Sequence, residues 1–313
     1  DENLDLDLPR QVWAIGGGKG GVGKSLVGVC LAYWLGRLKR KVVMVDADLG
    51  GANLHTMLGI RIPTATLEDF LLHKVPTLEA ALLETALPNV RLLAGGSEIP
   101  SLANPNYGQK TRLLRALDKL PADHILVDLG AGTGLTTLDF FLASPQRLIV
   151  LTPQPTSIEN AYGFIKAALY RRLAAILKTS ELKGLLEGTA DRANRPFPKS
   201  TDEILEEINV SAPQCLSAVQ SAVAGYRVKL IVNMVRHARE DRVGDVLTEV
   251  CRRYLGIQVE PLGAVPYDPS FERWAARMDF GAFGREGSEG ALGALYQVAY
   301  AMVQGPGTWA KTA

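Results

Sequence analysis

Seven short, predominantly apolar runs punctuate this sequence, at 12–15, 42–45, 90–93, 125–127, 148–151, 228–232 and 262–265. A run apolar on both sides of its pleat is a strand covered on both faces. Between the runs the periodicity becomes helical. Leu26, Val29, Cys30, Tyr33 and Leu38 follow the first run, and Ile158, Ala161, Tyr162, Ile165, Ala168 and Leu169 form one stripe after the fifth. Strands alternating with helices of this length join as right-handed βαβ units. The expected fold is therefore α/β, a doubly wound, mainly parallel sheet with helices on both faces. Between 179 and 224 the rhythm is interrupted by Gly184, Gly188, Pro196, Pro198 and Pro213, which reads as a helical insertion between two strands. The expected organisation is a flexible acidic segment at 1–11, a single domain at 12–304 and a tail at 305–313.

Composition narrows the function classes. Hydrophobic residues make up 47% and charged residues 21%, the usage of an ordered globular chain. No stretch reaches the roughly 18 unbroken apolar residues of a membrane-spanning helix. Lys and Arg number 34 against 33 Asp and Glu, and this balance argues against wholesale neutralisation of nucleic acid. Arg171-Arg172 and Arg252-Arg253 read as solvated helix faces. Cys30, Cys215 and Cys251 form no CxxC pair, so neither a zinc knuckle nor a thiolate-held iron–sulfur cluster has support. His55, His73, His124 and His237 have no metal-ligand spacing. The acidic start lacks the basic and apolar regions of a signal peptide, and a reducing cytoplasm is the expected location.

The densest chemistry follows the first run. Gly18-Lys19-Gly20-Gly21-Val22-Gly23-Lys24-Ser25 has the spacing GxxxxGK[ST], between a strand and a helix as that loop requires. Its N–H groups and the positive end of the next helix cradle phosphates, Lys24 reaches the β- and γ-phosphates, and the Ser25 hydroxyl coordinates Mg²⁺. These residues and Leu26 are the candidate nucleotide contacts. The second run ends in Asp46-Ala47-Asp48, carboxylates that suit either helix caps or Mg²⁺ binding. The run at 125–127 ends in Asp128-Leu129-Gly130-Ala131-Gly132, a carboxylate near the metal followed by glycines free to rearrange around a γ-phosphate.

Together these motifs resemble the MinD/ParA family of P-loop ATPases, over residues 12–268. KGGxGKS is that family's deviant phosphate loop. Alone, Lys19 is a solvated loop charge; the resemblance implies that it crosses a dimer interface to the partner subunit's phosphates. It further implies that Asp46 holds the Mg²⁺ shell through water and that Asp48, in a first switch segment, orients and activates the attacking water. Asn233, in Val232-Asn233-Met234, would read the adenine edge, and Pro266 and Tyr267 would flank the base. The implied catalytic set is Lys19, Lys24 and Asp48, and the metal set is Ser25, Asp46 and Asp128. Asp46-Ala47-Asp48-Leu49-Gly50 with Ala52-Asn53, the 128–132 stretch and the 152–162 stretch look most like the flagellum-placing branch, the FlhG type.

A member of this family would be an ATP-dependent switch. It would be a homodimer with ATP, would hydrolyse ATP slowly to ADP and phosphate, and would answer to a regulatory or activating protein partner. Its task would be the positioning or number of a cellular structure such as flagella. Two other classes share the scaffold. A ParA-type DNA-partitioning ATPase needs a basic stripe, which near-neutral charge disfavours. An ATP-dependent metabolic ligase has no use for Lys19. The stretch 291–303 is apolar and helical but has no Lys or Arg, and Gly305-Pro306-Gly307 stops it. A membrane-surface helix wants cationic flanks, so this one reads as packed on the domain. A targeting helix would lie beyond Ala313, and peripheral placement at the membrane or cell pole rests on the family alone.

Overall fold

The apolar runs become strands of one sheet, six of them inner and the last at an edge. The computed structural model describes residues 10–48, 51–96, 105–177, 200–271 and 290–304. In chain order the strands are β1 (Gln11–Gly16), β2 (Val42–Ala47), β3 (Leu83–Glu84), β4 (Val90–Leu93), β5 (His124–Leu129), β6 (Gln146–Leu151), β7 (Arg227–Val235) and β8 (Gln258–Pro266). They lie in the order β3-β4-β2-β5-β1-β6-β7-β8, parallel throughout except for the antiparallel β3–β4 edge. After β1 the chain moves across β5 to β2, whereas after β6 it moves the other way to β7. The connections leaving the carboxyl ends of the neighbouring strands β1 and β6 thus part in opposite directions, which opens a crevice between them.

The helices are α1 (Lys24–Arg37), α2 (Leu54–Met57), α3 (Leu67–Leu71), α4 (Tyr107–Leu117), α5 (Leu135–Ala143), α6 (Pro155–Ile176), α7 (Thr201–Ser211), α8 (Pro213–Ala224), α9 (Val243–Leu255) and α10 (Gly290–Gln304). Side chains alternate across the strands and divide the core in two. Trp13, Ile15 and Met44 pack with α1 and α10, while Ala14, Val43 and Val45 join the layer that includes α5, α6 and α9. The 291–303 stretch lies within α10, whose Leu292, Leu295, Val298 and Met302 are buried. Trp34 Nε1 of α1 donates to the Leu292 carbonyl at 2.9 Å, and the Trp34 and Tyr296 rings meet edge-on with centroids 4.9 Å apart. Among the described residues no helix is long and apolar enough to cross a membrane.

Three details differ from the sequence expectation. Gln11 already belongs to β1. Arg10 is also tied down: its Nε donates to the Ala122 carbonyl at 3.0 Å, and its guanidinium also bonds the Asp118 carbonyl. Arg10 and Gln11 are thus part of the fold, ahead of the domain start expected at 12. β8 begins four residues before its apolar run because register shifts let Pro261 and Gly263 into the strand. Within the expected insertion, α7 and α8 bury Ile204, Ile208, Val219 and Val223 in the same core as α6; residues 178–199 of it lie outside the described residues, as do 1–9 and 305–313.

One buried histidine gives the fold a pH dependence. Burial pulls His124, at the start of β5, down to about 4 from an ordinary value of 6.5. Between these values the unfolded chain binds a proton that the folded chain refuses, so stability falls as pH drops from 6.5 to 4. The full loss is about 3 kcal/mol by the 1.36 kcal/mol of each pKa unit. Urea unfolding at pH 7 and pH 4 should show His124→Gln losing less stability between the two than the wild type does.

Candidate nucleotide-binding site

The loop between β1 and α1 rises from the middle of the sheet into the crevice. Gly23 stands just before α1 in the left-handed region, with φ 87, and the Asn233 side-chain amide packs where a Cβ would sit. Only glycine meets both demands. Gly17 also approaches backbone closely, since a Cβ there would lie 2.7 Å from the Val150 carbonyl oxygen. The first N–H groups of α1 have no partner within the helix and open on the loop, which makes this terminus suited to an anion.

Lys24 is buried, and its ammonium donates to the Lys19 carbonyl at 3.4 Å, bridging the loop. Burial draws its pKa below the ordinary lysine value, against the opposing pull of Asp128 and Asp48. Lys19, Gly20 and Gly21 are exposed at the rim, and the Lys19 ammonium has no partner among the described residues.

Asp46 and Asp128 face each other across the β2–β5 ladder. Asp46 is 1% exposed, and its two oxygens accept from the Asp48 N–H at 3.2 Å and the Leu54 N–H at 3.0 Å. The cap reading of this carboxylate is thus realised at the start of α2, beside its place in the acidic pair. Burial lifts the Asp46 carboxyl to about 6, against the N–H groups of Leu54 and Asp48. Asp128 is 5% exposed, lies beside the Ser25 hydroxyl, and keeps Oδ1 buried without a partner. Its carboxyl rises to about 7 through burial, with Asp46 and Asp48 adding to the rise and Ser25 and Lys24 opposing it. Asp48 stands half-buried at the mouth, where a Cβ on Gly130 would lie 2.9 Å from its Oδ1.

An unpartnered buried carboxylate oxygen, a neighbouring hydroxyl and a second acid opposite are hard oxygen donors. That set fits Mg²⁺, which takes one or two carboxylates and completes its shell with water and phosphate.

The structure therefore brings Lys24, Ser25, Asp46, Asp48 and Asp128 together below the loop. The base-side residues come from β7 and β8. Asn233 is buried and donates from Nδ2 to the Val22 carbonyl at 2.9 Å, tying β7 to the phosphate loop. Tyr267 donates its N–H to the Val235 carbonyl at 2.7 Å, and Pro266 beside it is exposed at the end of β8. Sequence reasoning missed Arg236, whose guanidinium lies 3.7 Å from the Tyr267 ring centroid. Its position three residues after Asn233, at the end of a strand, was the available signal. It also missed Asn160 of α6, whose backbone packs against Gly18; no local pattern marks that contact.

The CobQ/CobB/MinD/ParA nucleotide binding domain matches residues 13–279. The chain is 29% identical over 268 residues to the antiactivator FleN of Pseudomonas aeruginosa, covering 85% of this chain and 76% of FleN. It is 38% identical over 163 residues to the flagellum site-determining protein YlxH of Helicobacter pylori, covering 49% of this chain and 52% of that protein. Among solved structures, the septum site-determining protein MinD of Pyrococcus horikoshii, complexed with Mg-ADP, superposes with a TM-score of 0.64 at 22% identity, over 96% of this chain and 99% of that one. A MinC:MinD complex from Aquifex aeolicus superposes with a TM-score of 0.60 at 20% identity, over 94% of this chain and 96% of that one.

Proposed function

The chain belongs to the CobQ/CobB/MinD/ParA family of nucleotide-binding domains, and from that premise we propose that it is an ATP-driven, dimerising switch that governs flagellar number or placement. The observation that carries the nucleotide part is the acidic array under the loop, with Asp128 Oδ1 buried and bare beside the Ser25 hydroxyl. Ser25 and Asp128 would hold Mg²⁺, with Asp46 steadying its water shell, and the ion would offset the charge that gathers on the β- and γ-phosphates.

The chain's own groups do the rest. The loop N–H groups and Lys24 fix the phosphates. Asp48, at the mouth beside Gly130, receives the attacking water in hydrogen-bond reach of the γ-phosphate and takes its proton. Pro266 and Tyr267 border the base, with Asn233 between base and loop. Lys19 extends from the rim towards a second copy of the chain. The likeness to FleN and YlxH supports the flagellar assignment, and the switch would be read by a protein partner that distinguishes the ATP form from the ADP form.

Asp48→Ala tests this reading. It should bind Mg·ATP as the wild type does, because Lys24 and Ser25 remain. Its hydrolysis should fall by about a hundredfold or more, the usual contribution of a positioned base, from a wild-type turnover below about 1 s⁻¹. Phosphate release measured under single-turnover conditions reads this directly, and a wild-type rate in the variant removes Asp48 from the chemistry. Flagella counted on cells producing only Asp48→Ala should differ in number or position from wild type; unchanged flagella reject the flagellar assignment and leave the ATPase intact.

A further inference from the structure

A second concavity, of about 630 Å³, lies between α4 and the segment 76–79 and shares no residue with the nucleotide crevice. Its floor is apolar, formed by Phe70, Leu78 and Leu120 where the main core comes up to the surface, each only 2–4% exposed. One rim is basic, with Arg115 of α4, Lys119 just past its end and Arg112, whose guanidinium lies 4.2 Å from the Phe70 ring centroid and contacts His73 Nε2; Glu79 is the one lining carboxylate. Among the described residues, Arg115 and Lys119 form no ion pair. At one end Tyr107 is 85% exposed, a large ring left open to water. A basic-rimmed apolar groove of this length suits a short segment that alternates carboxylates with aliphatic side chains.

The sequence carries such a segment next to the groove. Residues 1–9 lie outside the described residues and read Asp-Glu-Asn-Leu-Asp-Leu-Asp-Leu-Pro, with four carboxylates, three leucines and no cation. The segment joins the fold at Arg10, which bonds the carbonyls of Asp118 and Ala122, the residues flanking Lys119 and Leu120 at the groove's other end. Nine residues reach about 30 Å when extended, whereas the eleven residues of α4 rise only about 16 Å. Attachment also sets the local concentration near the millimolar range, so a contact too weak to form in trans is populated in cis.

We propose that this groove is the docking site of residues 1–9 of the same chain, with Leu4, Leu6 and Leu8 on the apolar side and the carboxylates along Arg115 and Lys119.

Hydrogen exchange of the full chain, read by mass spectrometry, tests the assignment. Residues 1–9 should exchange at least tenfold slower than a free peptide of the same sequence. Arg115→Glu/Lys119→Glu, both exposed and remote from the core, should abolish that protection, as should Leu4→Ser/Leu6→Ser/Leu8→Ser. Combining the first pair with Asp5→Lys/Asp7→Lys should restore it. Free exchange in the wild type, or protection indifferent to the groove variants, overturns the proposal. Protection that grows with protein concentration assigns the groove to the segment of a second copy and overturns the cis arrangement.

Discussion

Lys19→Ala placed on an Asp48→Ala background is expected to be monomeric in Mg·ATP, under conditions where Asp48→Ala alone has twice the mass of one chain. The physical reason is a charge balance at the γ-phosphate. Lys24, the divalent ion and the loop N–H groups compensate one triphosphate only in part. Lys19 cannot add to that from its own subunit, because it stands exposed at the rim while its carbonyl is held by Lys24. In the proposed dimer a second copy related by a two-fold axis would bring an equivalent lysine over each site. With ADP the differential contact would be gone, and the population should return to monomer. Nucleotide affinity should change little in the variant, since the lysine acts across the interface. Light scattering on both proteins with Mg·ATP and with ADP decides the matter, and equal masses for the two variants in ATP would remove the case for a trans-acting lysine.

Lys24→Ala is expected to lose nucleotide binding. A charge-assisted contact is worth about 1.5–3 kcal/mol, which is roughly 10- to 150-fold in affinity. The loss here should reach the upper end, because the same ammonium bridges the loop to the Lys19 carbonyl. At a hundredfold excess over the wild-type Kd, nucleotide stabilises the folded wild type by about 2.7 kcal/mol; a variant binding a hundredfold more weakly gains about 0.4 kcal/mol from the same solution by the same relation. Thermal melts with and without Mg·ATP, together with equilibrium titration of a fluorescent ATP analogue, measure both quantities. An undiminished melting shift in the variant would contradict the phosphate-loop assignment.

Much of this site was legible in the sequence because it is local. The eight residues from Gly18 to Ser25 carry their own backbone demands, and the flanking strand and helix are written in their periodicities. Asp46 and Asp128 were readable as strand ends, but their pairing depends on the β2–β5 register, which no local pattern encodes. The Asn233–Val22 bond joins residues 211 apart and was equally hidden, although the strand end that carries it was not. The Asp46 oxygens show the limit from the other side: two backbone N–H groups occupy them, and only the path of the chain through Leu54 brings the second one near. In the fold, β3 escaped notice because two residues at an antiparallel edge give no run to read. The start of β8 was missed because Pro261 and Gly263 disguise a bulged strand as a loop.

The bond from Trp34 to the Leu292 carbonyl has a mechanical consequence. α1 begins at Lys24 in the phosphate loop and passes Trp34 ten residues further on, about 15 Å along a stiff rod. α10 is clamped to that rod by the indole bond, the Trp34–Tyr296 ring contact and a continuous buried seam. Close-packed interfaces of this kind are poorly compressible and pass displacement on. The two helices therefore form one stiff unit with its tip at the phosphate loop, and a load applied to the far side of α10 is passed along α1 towards Lys24.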